Sequence, residues 1–185
     1  MSIFLFGHET STVRDGYSCE AFHRCCDDKK NTFVYICGQN AINQPFRLLF
    51  FTTQLWNVVN GQSMYWEWNI DFLARVSSDP SCYLYIIESP SKKNGKLKAT
   101  NNGKDVIMTA PGYGPILNKT LYIPDMCNKT KMIVCQSDAF EFDDDWPLAR
   151  ILSNDESTIN MDNVGFTLLN YEVLETYPKS KKAKK

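Results

Sequence analysis

The dominant pattern along the chain is two-residue alternation of apolar and polar positions. Its longest run covers 64–76. Met64, Trp66, Trp68, Ile70, Phe72, Ala74 and Val76 fall on one side, and Tyr65, Glu67, Asn69, Asp71 and Arg75 on the other, with Leu73 the exception. Side chains of a strand point alternately to opposite faces, so this run predicts one long strand with a buried and a wet face. At roughly 3.3 Å per residue it would reach about 40 Å, enough to overhang its own sheet and meet another molecule. Ser77-Ser78-Asp79-Pro80 is a turn sequence and would fold this strand back onto 82–88 as an antiparallel hairpin.

Further strands are expected at 32–37, stopped by Gly38, and at 46–52, whose fully apolar middle predicts burial on both faces. Shorter ones follow at 96–99, 106–109, 120–123 and 132–135, and the last clear strand spans 165–175. Ala110-Pro111-Gly112-Tyr113-Gly114-Pro115 reads as a break in regular structure. Residues 18–30 predict a helix with Ser18 as N-cap, because Cys19, Phe22, His23 and Cys26 recur at helical spacing. Short helices are expected at 53–60 and at 146–153, the latter with Pro147 in its first turn. Residues 1–12 suit an edge strand or an arm that docks on a neighbour. About eight strands, regular turns and no βαβ rhythm predict a mainly β fold, a single-domain antiparallel β-sandwich with two or three short helices. It would occupy 1–178, with an N-terminal arm over about 1–17, and 179–185 would form a basic tail.

Composition sharpens this picture. The 185 residues are 43% hydrophobic and 22% charged, as in an ordinary globular domain. A net charge of -1 supplies no reason to expect nucleic acid or a membrane surface as a partner of the whole domain. No apolar run approaches the roughly 20 residues of a membrane helix, and no signal-peptide pattern opens the chain, so cytoplasmic synthesis is expected. Seven cysteines, an odd number, then suit reduced thiols packed as small apolar groups.

Candidate chemistry is sparse. Cys19, His23 and Cys26 at i, i+4 and i+7 would share one helix side, as in part of a zinc site or a Cys–His nucleophile pair. One straight helix rarely gives three ligands to one ion, and packing is the simpler reading, so no metal site and no catalysis are expected. Gly112-Tyr113-Gly114 lacks the lysine and the strand–turn–helix setting of a phosphate loop. Glu141, Asp143, Asp144 and Asp145 form an acidic run without the spaced ligands or glycine turn of a calcium loop. The tail supplies the opposite charge in Lys179, Lys181, Lys182, Lys184 and Lys185. It is expected to pack on another copy's acidic run.

One region carries a family resemblance. The apolar strand Tyr85-Ile86-Ile87, then Ser89-Pro90-Ser91, a Lys/Asn/Gly-rich loop, Val106, and Pro111 before Tyr113 resemble the middle of cypovirus polyhedrins. The closing segment 166–177 resembles the last long strand of that family. Together these segments span about a quarter of the chain. The resemblance implies a β-sandwich that assembles as trimers into a crystalline matrix, the occlusion body, around virus particles in the host cell cytoplasm. The chain is shorter than the silkworm-type members and its first helix begins only at Ser18, so a short, mosquito-infecting type fits, with 1–12 in place of the family's N-terminal clamp. A bound nucleotide is implied by the resemblance alone, with no position assigned and no cofactor required.

Such a matrix holds near neutral pH and dissolves in alkali. Nine tyrosines, seven cysteines and fifteen lysines lose protons around or above pH 8.5–10.4, which would drive neighbouring copies apart. Tyr17, Tyr113, Tyr171 and Tyr177 are the candidate participants. The alternative is a soluble β-sandwich binding module, lectin-like or host-directed, using loops 89–103 and 111–115. A Cys–His hydrolase built on Cys19 and His23 ranks third.

Overall fold

The computed structural model of the chain describes residues 4–57, 63–64, 72–73, 75–117, 120–127, 129, 131–135, 140, 148–153 and 163–178. In order, its elements are β1 (Phe4–Ser11), α1 (Thr12–Asp15), α2 (Cys19–Cys26), β2 (Thr32–Gln39), β3 (Pro45–Thr52), β4 (Ser63–Met64), β5 (Phe72–Leu73), β6 (Arg75–Ser77) and β7 (Tyr83–Glu88). Then follow β8 (Gly95–Lys98), β9 (Ile107–Thr109), β10 (Tyr113–Leu117), β11 (Leu121–Pro124), β12 (Met132–Cys135), α3 (Leu148–Ser153) and β13 (Asn163–Pro178). The protein is mainly β and antiparallel, as the alternation predicts.

The strands join in the order β6-β9-β10-β11-β12-β13-β2-β3-β7-β8, with β1 also on β13 and β4 paired only with β5. The closing strand organises the fold. Its first residues, from Asn163 to Phe166, pair with β12, whereas Thr167 to Glu175 pair with β2. A bulge at Leu169, between Leu168 and Asn170, lies just inside the stretch paired with β2. A bulge bends its strand and increases the local twist, so one strand can serve both halves of a folded sheet. The halves meet over a common core. Val34, Ile36, Phe46, Leu48, Phe50 and Leu84 come from one side, and Ile107, Leu117, Leu121, Ile123 and Val134 from the other. This is a β-sandwich-like arrangement.

The helix after Ser18 forms for the expected reason and ends early. The Ser18 hydroxyl accepts the Ala21 amide at 3.1 Å, and Ala21, Phe22 and Cys26 turn inward. The Phe22 ring sits edge-on to Trp56 and Tyr171 at 5.4 and 6.2 Å. Residues 1–12 take the edge-strand option where they are described: β1 lies antiparallel on the outer end of β13, from Phe4 opposite Pro178 to Ser11 opposite Glu172.

Several expectations are corrected. No single strand runs through 64–76, because Met64 pairs with Phe72 and Ser63 with Leu73 in antiparallel register. Alternation has the same period in one long strand and in two that fold on each other, so it could not tell them apart. Nor does this segment form a hairpin with 82–88: β6 pairs with β9, and β7 lies between β3 and β8. The Ser78–Pro80 turn is instead a crossover between the halves, anchored by Asp79. Its buried carboxylate accepts the Thr52 hydroxyl at 2.7 Å, the Thr53 amide at 2.6 Å, and the Thr53 hydroxyl and Ser81 amide at 3.0 Å each. The Asp79 amide donates to the carbonyl of Gly103, whose φ of +68° is a conformation that glycine adopts readily.

Gly38 does not stop β2. The strand continues through it because the Phe46 ring lies where a Cβ would stand, 2.2 Å from that position. Residues 53–57 are not helical, and Trp56 there is fully buried, donating its indole N–H to the Thr32 hydroxyl at 3.0 Å. The proline- and glycine-rich segment is not a full break, since Tyr113, Gly114 and Pro115 open β10.

Candidate interaction face

The half-sheet β13-β2-β3-β7-β8 has a buried inner face and an unusually apolar outer one. Inward-facing Val34, Ile36, Leu48, Phe50, Leu84 and Ile86 are buried. The residues between them point outward and line up across the ladder. Phe33 stands opposite Phe51, and Phe51 opposite Tyr83. In the next row Tyr35 stands opposite Leu49, and Leu49 opposite Tyr85. This corrects the expectation that 46–52 is buried on both faces: alternate residues of β3 are exposed or only half-buried.

The outer rings touch one another. Phe33 and Phe51 lie 5.0 Å apart, and Phe51 stacks on Tyr83 at 5.5 Å. Tyr85 and Ile87 remain 41% and 40% exposed. Aromatic and β-branched pairs at such register positions stabilise a sheet, but a row this broad leaves apolar area in water. The Tyr35 hydroxyl is held above its ordinary range by its hydrogen bond with Cys37 and by partial burial, and the Tyr83 hydroxyl by burial and the neighbouring Cys82.

Charge brackets this apolar centre with opposite signs. On the β13 side Glu172 stands opposite Tyr35. On the β8 side Lys96 stands opposite Tyr85 and Lys98 opposite Tyr83, and the Lys96 ammonium sits 3.9 Å above the Tyr83 ring. At one end of the face Arg47 pairs with Glu88 at 3.1 Å.

The residues singled out from sequence lie mostly elsewhere. Glu141, Asp143, Asp144, Asp145, Lys179, Lys181, Lys182, Lys184 and Lys185 are outside the described residues. Tyr177 contributes a backbone pairing with Leu5 of β1. Tyr17 is half-buried, its hydroxyl donating to the Leu169 carbonyl at 3.2 Å. Tyr113 is half-buried against Tyr122, with ring centroids 6.4 Å apart. Tyr171 needs correcting as a contact between copies. It is 2% exposed, because the bulge at Asn170 turns it into the core, and burial raises its hydroxyl far above the ordinary tyrosine range.

The cysteine and histidine constellation is dispersed among separate partners. Burial and a hydrogen bond with Asp125 push the Cys19 thiol up to about 11, which keeps it protonated at neutral pH. The Cys19 amide also donates to the Asp125 carboxylate, at 2.8 Å. His23 places Nδ1 2.8 Å from an Asp27 carboxylate oxygen and Nε2 3.1 Å from the Ala110 carbonyl. Cys26 is buried in the core as a packing group. Among the described residues, no three His, Cys, Asp or Glu side chains are placed to hold one metal ion.

Sequence reasoning missed the outer face, although its signal was present. Three strands carry apolar residues on both sides, and in a two-layer fold only one of those sides can be the core. No protein-family model matches the chain, and a search of curated proteins finds no match.

Proposed function

We propose that the chain is a structural protein whose work is self-association, as its resemblance to cypovirus polyhedrins implies. On this reading many copies form the crystalline matrix of an occlusion body in the host cell cytoplasm, embed virus particles, and release them in alkali. The observation that carries it is the outer face of the half-sheet, where half-buried aromatic rows, with Tyr85 41% exposed, lie between Glu172 on one side and Lys96 and Lys98 on the other. Contiguous apolar area of this kind marks interaction surfaces. Self-association of this sort uses no catalytic group and no resident cofactor.

A second reading draws on the same exposed ring of Tyr85: a binding module that stacks a flat ligand, such as a sugar, on the aromatic rows. One experiment separates the two. The full chain is expressed in insect cells and lysed at neutral pH. Structural self-association predicts particles that sediment at low speed and dissolve above roughly pH 10, where tyrosines and lysines titrate. A chain that stays in the supernatant at every expression level contradicts it.

A further inference from the structure

The distribution of charge across the outer face has a geometric consequence. Strands set 4.7–4.9 Å apart place Glu172 on β13, which β1 flanks on its other side, about 19 Å from Lys96 on the edge strand β8. β3 lies midway between them. A second copy can be laid on this face by two kinds of twofold axis in the plane between the sheets. An axis perpendicular to the strands brings acidic rim to acidic rim and basic to basic. An axis parallel to the strands exchanges the rims, so that Glu172 of each copy meets Lys96 of the other.

We infer that the outer face of β2, β3 and β7 is an isologous docking surface for a second copy of this chain, related by a twofold axis parallel to the strands. The inference rests on the self-association reading above and names its first contact. Leu49 and Phe51 then lie on the axis against their own equivalents, while Tyr35 of one copy covers Tyr85 of the other and Phe33 covers Tyr83. Sheets that pack face to face keep their strands within about 30° of each other, which this axis satisfies. The Arg47–Glu88 pairs meet at one end, each guanidinium beside its own carboxylate.

Size sets the strength. From Phe33 to Cys37 the face runs about 13 Å along the strands, giving on the order of 250 Å² of sheet, against the ~800 Å² that each partner buries in a standard interface. The pair is therefore weak by itself. It forms at high local concentration and is reinforced when other contacts hold copies together.

The test is sedimentation equilibrium of the full chain, dissolved in alkali and returned to neutral pH and low salt, across a wide concentration range below that at which particles form, with thermal melts as a check on folding. Wild type shifts from monomer toward dimer as concentration rises. Lys96→Glu and Glu172→Lys each place like charges opposite one another and raise the dissociation constant about tenfold. The double variant restores it, and Tyr85→Asp abolishes the dimer. Oligomers that ignore all four variants overturn the face while leaving self-association standing. Tyr85→Asp alone weakening the dimer, with the charge swaps silent, overturns the axis. A wild type that stays monomeric throughout overturns the self-association reading itself.

Discussion

Alkali should attack this protein from inside as well as at its surface. Cys82 and Cys127 are 3% and 1% exposed. Burial raises both thiols from an ordinary value of 9.0, Cys127 to about 12 and Cys82 further. A thiol whose folded value is raised leaves stability intact below the unfolded value. Above it the unfolded chain releases a proton that the folded one keeps, so stability falls as pH rises. At pH 10 each such thiol costs about 1.4 kcal/mol, hence about 3 kcal/mol for the two. Against a typical 5–15 kcal/mol of total stability that is a large fraction. Urea unfolding followed by circular dichroism, in reducing buffer from pH 7 to pH 10, measures it. The wild type should lose about 3 kcal/mol more over that range than the Cys82→Ala, Cys127→Ala double variant. Surface groups contribute equally to both proteins and cancel in the difference. Parallel curves for the two would refute the buried-thiol account and leave surface repulsion alone to explain alkaline sensitivity.

Other substitutions probe the scaffold. Asp79→Ala strands four donors at the crossover and should cost about 3–5 kcal/mol in chemical denaturation, with Asp79→Asn recovering little because its amide points protons at donors. Gly38→Ala drives a methyl into the Phe46 ring and should cost about 2–3 kcal/mol; unchanged stability would mean that the ring does not cap the glycine. Deleting 179–185 should reduce particle formation in cells while leaving a folded protein with an unaltered melt. Normal particles from the shortened chain would remove the lysine tail from the assembly scheme.

Much of the scaffold was legible because period-two alternation and turn residues are local signals. The strands at 32–37, 82–88, 96–99 and 132–135 and the Ser18-capped helix all appear within a few residues of their expected places. What failed was pairing. Whether Met64 faces Phe72 across a ladder or continues a strand toward it is invisible to alternation, which has the same period in both arrangements. Gly38 shows the same limit, since its tolerance within β2 comes from a ring eight residues away that covers it. The interaction face was hidden for a related reason: apolar residues such as Phe33 and Tyr85 look like core until the layer count fixes which side is inside. Tyr171 misled in the opposite sense, because a one-residue bulge decides which way it points.

The central claim is that copies of this chain build an ordered solid. Powder diffraction from intact cells expressing the full chain tests it without purification or added precipitant. Sharp rings that persist at neutral pH and vanish when the cells are brought above about pH 10 are predicted. Diffuse scattering alone, from cells that hold abundant folded protein, would contradict it.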